Sequence, residues 1–231
     1  MDKISDYNRL VRYLQDNSDV KFDEFNRKIV NSGIATIGCT VPFVRKLAKN
    51  TDLDFALSLP VNRYVEVDLL RGIVIADAKL PFEEKTELLT DFAGSIENWA
   101  VCDCSTVKPS RQEFERYFDY FRNLLSSGKQ FVCRYGIVNL LASYLDDEHI
   151  ERVFSSLDGV ALWGEYYVDM AAAWLVATAM VKCRNQTVEY MQGKARRVLN
   201  KFAYNKALQK MRDSLRVSKE DKQWTHTVKM V

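Results

Sequence analysis

Glycine and proline are scarce in this sequence, nine and four among 231 residues, and they fall mostly where periodic apolar segments end, which is the punctuation of helices and not of a turn-rich β-fold. No apolar run reaches the roughly 18 residues of a membrane-spanning helix. The opening stretch Met1-Asp2-Lys3-Ile4-Ser5-Asp6 lacks the basic-then-apolar order of a secretory signal, so a soluble, cytoplasmic protein without a membrane partner is expected. Histidine is nearly absent: His149 and His226 are the two in the chain, and neither stands in a recognisable acid/base arrangement. The H-x-E…P-C-x-x-C signature of zinc-dependent nucleobase deaminases is missing, which excludes that chemistry. Five cysteines, at 39, 102, 104, 133 and 183, are odd in number and too sparse for a disulfide framework. Cys102 and Cys104 form a C-x-C pair with no second pair or nearby histidine to complete a zinc site. No metal and no cofactor is expected.

Nearly half of the chain, 47%, is apolar, enough for one sizeable helical core and too little for two independent domains. One domain spanning 1–231 is the resulting expectation. A net charge of only +2 does not announce a nucleic-acid partner, but the charge is unevenly placed. Residues 182–231 carry 13 Lys/Arg against 4 Asp/Glu, a surplus of +9, while residues 1–181 carry 20 against 27, or −7. A basic C-terminal quarter suits a polyanion, although for charge alone a merely solvated face that keeps the protein soluble is the default reading.

Apolar residues recur at i, i+3 and i+4 over 6–14, 21–31, 41–49, 62–77, 82–93, 110–126, 129–145, 148–157, 165–182, 186–201, 203–215 and 218–229, and period-two alternation is sustained nowhere. In the first of these, Ser5 is the expected N-cap, with Tyr7, Leu10, Val11 and Leu14 on one face. The fold class is all-α. A dozen helices joined by short turns suit an α-solenoid better than a four-helix bundle. Pairing 110–126 with 129–145, 148–157 with 165–182 and 186–201 with 203–215 gives units near 40 residues, the size of HEAT-type repeats. Stacked pairs leave a concave groove lined by one helix of each, a surface fit for an extended partner.

Three segments interrupt the apolar pattern. Trp99 and Asp103 lie four apart, so a helix there puts an indole and a carboxylate on one face; a core tryptophan with a surface aspartate reads the same way. Arg134 is a single arginine inside the apolar run Phe131–Leu141 and is expected on a polar or ligand-facing edge, beside a carboxylate such as Asp103, or in an Arg–Asp pair that only orders two helices. Trp174 follows Ala171, Ala172 and Ala173, small residues that allow close packing and can leave space beside the ring; a packed core helix with an ordinary tryptophan is the competing reading.

These pieces, in this order, resemble the AlkD-like DNA alkylation repair glycosylases. The resemblance runs through Thr40-Val41-Pro42-Phe43-Val44-Arg45-Lys46-Leu47-Ala48-Lys49, Asn98-Trp99 to Asp103, Val132-Cys133-Arg134-Tyr135-Gly136, Tyr166 to Trp174, and Phe202-Ala203-Tyr204-Asn205-Lys206-Ala207-Leu208-Gln209-Lys210. It implies a HEAT-like solenoid holding duplex DNA in its groove and hydrolysing the N-glycosidic bond of N3- or N7-alkylated purines. Matched motif by motif, it implies catalytic roles for Trp99, Asp103, Arg134 and Trp174. The family pattern often has an aspartate directly after the first tryptophan and a basic residue after the second; this chain has Ala100 and Ala177.

The chemistry implied is coherent. Alkylation gives the purine a formal positive charge, so the leaving base needs no protonation, which suits a chain poor in histidine. Indole faces attract cations, a carboxylate stabilises charge growing on the sugar, and a forked guanidinium contacts phosphate. Arg45, Lys46, Lys49, Lys206, Lys210, Arg212, Arg216 and Lys219 are the candidate phosphate contacts, which position a protein without reading sequence; helical periodicity turns some of them away from any groove, so about half are expected to matter. No lysine suited to act as a lyase nucleophile stands among the implied site residues. A monomer on duplex DNA is expected, and a noncatalytic helical-repeat binding module is the competing reading, since the fold alone does not choose.

Overall fold

The computed structural model describes residues 4–30 and 32–230. Met1, Asp2 and Lys3 of the opening stretch, Asn31 at the end of the expected helix over 21–31, and Val231 at the close of the basic segment lie outside them. Among the described residues there are fifteen α-helices, one short 3-10 turn at Leu157–Gly159, and no strand beyond an isolated bridge between Ala35 and Tyr64. The all-α expectation holds. No described helix is long and apolar enough to cross a membrane. The chain divides into two compact units, the first reaching Lys108 and the second starting at Pro109.

The first unit contains α1 (Tyr7–Asp16), α2 (Val20–Val30), α3 (Val41–Ala48), α4 (Leu53–Ser58), α5 (Val65–Asp77), α6 (Phe82–Ser95) and α7 (Trp99–Cys104). The N-cap of α1 is Asp6 and not Ser5: Asp6 has the extended backbone of a cap and its carboxylate accepts the Arg9 N–H at 2.8 Å, the geometry that satisfies an orphan first-turn donor. Helix α4 fell outside the sequence reading because six residues are too few to show a period.

From Val65 to Ala76 every residue of α5 except Arg71 is buried, so this helix has no solvent face and must be surrounded. Helices α3, α4, α6 and α7 pack against it. Gly72 makes the approach of α6 possible, since a Cβ there would lie 2.2 Å from the Phe92 ring. Glu66, also buried, accepts the backbone N–H groups of Ile37, Gly38 and Cys39 at 2.9, 2.8 and 3.2 Å. The segment leading into α3 is thereby fixed to the core helix.

The second unit contains α8 (Phe114–Leu124), α9 (Gln130–Ser143), α10 (Ile150–Ser156), α11 (Tyr166–Lys182), α12 (Arg184–Gln192), α13 (Ala195–Val198), α14 (Lys201–Asp213) and α15 (Lys219–Thr227). The single helix expected over 186–201 is two, α12 and α13, broken at Gly193. Helix α11 packs on α9 to one side and α14 on the other, with α8 against α9 and α15 against α14. The row α9, α11, α14 is made of the second helices of the three expected pairs. Its members α9 and α11 are buried on nearly all sides, as helices inside a stack must be.

Gly136 sets the contact between α8 and α9, because a Cβ there would stand 2.6 Å from the Phe121 carbonyl oxygen and 2.7 Å from Leu125. Gly136→Ala is expected to lower stability by about 1–3 kcal/mol through overpacking. Gly128→Ala, where nothing lies within 4 Å, is expected to be near neutral. Urea denaturation of both variants checks this, and equal costs would contradict it.

His149, just before α10, is 4% exposed and sits between two carboxylates, with Nδ1 2.7 Å from Asp146 and Nε2 2.9 Å from Glu115. Burial alone would depress its pKa, but the hydrogen bonds and charges of Asp146 and Glu115 outweigh burial and raise it. A folded pKa above the unfolded value means stability that is fully present below about pH 6.5 and is lost as pH rises through the folded pKa. Because both carboxylates are about half exposed, solvent screening limits the effect to about 1 kcal/mol. Wild type is therefore expected to lose more unfolding free energy than His149→Gln as pH rises from about 6 to 8, measured by denaturant titration at each pH. Identical slopes would contradict the assignment.

Candidate active site

Helix α7 carries the first pair of expected site residues. The Asn98 side chain caps the helix by accepting the Val101 N–H at 3.0 Å, which makes Trp99 the first helical residue and places Asp103 one turn later. Val101 and Cys102 point into the core, while Trp99 and Asp103 are half-buried. The Trp99 indole N–H reaches the Ile29 carbonyl at 3.4 Å, tying the ring to the end of α2. Arg45, expected among the phosphate contacts, donates from Nη2 to the Cys104 carbonyl at 2.7 Å. Burial pushes the Cys104 thiol up, with Asp103 adding to the effect and Arg45 opposing it. Burial also takes Cys39 up to about 11 and Cys133 up to about 12, so these thiols are protonated and inert at neutral pH. Among the described residues no group of three His, Cys, Asp or Glu side chains is placed to hold a metal ion.

The second unit positions Arg134 and Trp174. Arg134 is not on a polar edge of α9, as the sequence suggested; it is 5% exposed. Its burial is offset by a hydrogen bond from Nη1 to the Tyr167 carbonyl at 2.7 Å, with the guanidinium carbon 6.0 Å from the Tyr167 ring centre. One turn earlier on α9, Gln130 accepts the Tyr167 N–H at 3.1 Å, a first-turn donor that has no partner within its own helix. Both backbone groups of Tyr167 are thus held by α9, and this fixes α11 along its axis. Two turns on, Trp174 lies on a half-buried stripe formed with Tyr167, Met170, Thr178 and Val181, while Ala171–Ala173 and Leu175–Ala177 are buried. The small residues before Trp174 let α11 fit closely between α9 and α14.

Two features escaped the sequence reading. Asp169, only 2% exposed, accepts the Gly164 N–H at 3.2 Å and the Asn200 side-chain N–H at 2.8 Å. Asn200 in turn caps α14 through the Ala203 N–H at 2.8 Å, so one carboxylate links the starts of α11 and α14. The second feature is a run of aromatic rings at the N-terminal ends of the inner helices. Phe131 and Tyr167 are 5.1 Å apart, Tyr167 and Tyr166 5.2 Å, and Tyr166 and Phe202 6.1 Å between ring centres. Tyr166 and Phe202 are 55% and 45% exposed, and exposed lysines lie near the ends of the run in sequence, Lys129 two residues before Phe131 and Lys201 next to Phe202. The signal is an aromatic at the first or second position of α9, α11 and α14, which leaves no periodic trace because other helices intervene in the chain.

Of the other basic residues expected to meet phosphate, Lys46, Lys49, Arg216 and Lys219 are exposed, and Lys206, Lys210 and Arg212 are half-buried. Lys206 donates to Gln209 at 3.0 Å, and Arg212 donates to the Thr225 hydroxyl at 3.1 Å, joining α14 to α15. Part of the C-terminal basic surplus is structural: Arg184 grips Asp221 through Nε and Nη2, and Lys194 pairs with Asp158 at 2.5 Å.

Asp169→Asn is expected to destabilise by about 1–3 kcal/mol, because the amide NH2 would face the donor of Asn200 and leave buried groups unpaired. Thermal or urea unfolding checks this; a variant as stable as wild type would mean that the link between α11 and α14 carries no weight.

A sequence model for the family described as DNA alkylation repair enzyme matches residues 10–211. No curated protein and no solved structure matches the chain.

Proposed function

The chain belongs to the DNA alkylation repair enzyme family, and we propose that it is a monofunctional DNA glycosylase that hydrolyses the N-glycosidic bond of N3- or N7-alkylated purines in duplex DNA, acting as a cytoplasmic monomer. The observation that carries this reading is the pair Trp99 and Asp103, which α7 presents half-buried one helical turn apart. Such a pair offers an electron-rich face and a carboxylate to a single positively charged group.

The reaction needs little else from the protein. As the bond breaks, its electron pair leaves with the base, the alkylated ring becomes neutral, and the positive charge passes to C1′ of the deoxyribose. In the first unit Trp99 offers its indole face to positive charge on the lesion or sugar, a contact contributing roughly 0.5–2 kcal/mol depending on desolvation, and Trp174 is assigned an indole role of the same kind on the family resemblance. Asp103 stabilises the charge that develops on the sugar and orients the water that adds to C1′ with loss of a proton. Arg134, which donates to the Tyr167 carbonyl, is assigned the phosphate beside the lesion on the family resemblance, the role a forked guanidinium fits. About half of Lys46, Lys49, Lys206, Lys210, Arg212, Arg216 and Lys219 supply sequence-independent phosphate contacts, and affinity falls steeply with salt. The product is free base and an abasic site in an intact strand.

Single-turnover release of 7-methylguanine from duplex DNA tests the proposal. Asp103→Asn is expected to lower the rate by about 10²–10³-fold with DNA binding retained. An unchanged rate would remove Asp103 from the chemistry, and no release above the spontaneous rate by folded wild type would leave a DNA-binding helical-repeat protein as the better account.

A further inference from the structure

Helix α7 is only six residues long and ends at Cys104, directly after Asp103. The last four carbonyls of any helix lack partners within it, and the C-terminus carries partial negative charge that disfavours a neighbouring carboxylate. Asp103 therefore sits at the end of a helix too short to hold itself and at the pole that repels it. Arg45 answers both problems. It projects from α3, whose neighbour across the core, α5, also packs on α7, and its Nη2 donates to the Cys104 carbonyl at 2.7 Å. A cation at a helix C-terminus satisfies an orphan carbonyl and offsets the dipole. The shift of the Cys104 thiol, raised by Asp103 and lowered by Arg45, places both charges around the same residue.

We propose that Arg45 is a positioning residue, which holds the C-terminal end of α7 so that the Asp103 carboxylate keeps its orientation, and is not one of the phosphate contacts. This rests on the glycosylase reading of Asp103 given above. The two roles separate cleanly in solution. A phosphate contact contributes to affinity and to its salt dependence, whereas a positioning residue contributes to the rate of the bound complex.

The test compares Arg45→Gln and Arg45→Lys with wild type in single-turnover release of 7-methylguanine, in binding to the same duplex at several salt concentrations, and in hydrogen exchange of the α7 amides. Arg45→Gln is expected to lower the single-turnover rate at saturating enzyme about 10–100-fold, the cost of a small misplacement of a reacting group. Its affinity and salt slope are expected to match wild type, and the α7 amides are expected to exchange faster. Arg45→Lys, which keeps a cationic donor, is expected to recover most of the rate. A normal rate with weaker binding and a salt slope reduced by about one would overturn the proposal in favour of a phosphate contact. Faster exchange with an unchanged rate would reduce Arg45 to a structural cap and also overturn it. No base release by wild type would defeat the glycosylase reading itself; unchanged α7 exchange in Arg45→Gln would then defeat the anchor as well.

Discussion

The constraint on which this structure depends is that three of its helices, α5, α9 and α11, have almost no exposed side. A helix that is apolar all round is stable only when other helices cover it. In the first unit α3, α4, α6 and α7 cover α5, and in the second α8 and α11 cover α9 while α9 and α14 cover α11. The glycines at 72 and 136 mark where this covering is closest. Hydrophobic burial sets which helices are neighbours, but it is non-directional and does not set their register.

Register comes from the few polar groups that enter these interiors. Glu66 takes three backbone N–H groups of the segment before α3, Gln130 and Arg134 take the two backbone groups of Tyr167, and Asp169 joins the starts of α11 and α14. Glu66, Arg134 and Asp169 are buried and Gln130 half-buried, and each is satisfied by backbone or cap groups, the condition under which burial of polarity is tolerated. The side chains proposed for chemistry lie on or next to these fixed points: Trp174 two turns beyond Tyr167, Asp103 beside the carbonyl held by Arg45. On the proposed reading, the contacts that order the helices are also the ones that aim the reactive groups.

How much of this was legible in the sequence follows from the range of each interaction. Helices with a clear apolar period, such as α8 and α14, were readable to within a few residues, because period and burial have the same cause. Helix α4, six residues long, and the break at Gly193 were not, since neither leaves a periodic trace. Trp99 and Asp103 were legible as a pair because their spacing is local. The setting of Arg134 was misread as a polar edge, because its partner is a backbone carbonyl 33 residues away and no residue type announces such an acceptor. Asp169 went unnoticed for a similar reason: its meaning depends on Asn200, whose capping role appears only once α14 begins where it does.

The central claim is that the site acts on positive charge that the lesion already carries and supplies no proton to the leaving base. It is tested most directly by presenting one duplex sequence with either a cationic N7-methylguanine or N3-methyladenine, or with neutral hypoxanthine at the same position, and measuring free base released under single-turnover conditions. The account predicts release of the cationic bases well above the spontaneous rate and no release of hypoxanthine. Comparable release of the neutral base would require a proton donor that this account does not contain, and would contradict it.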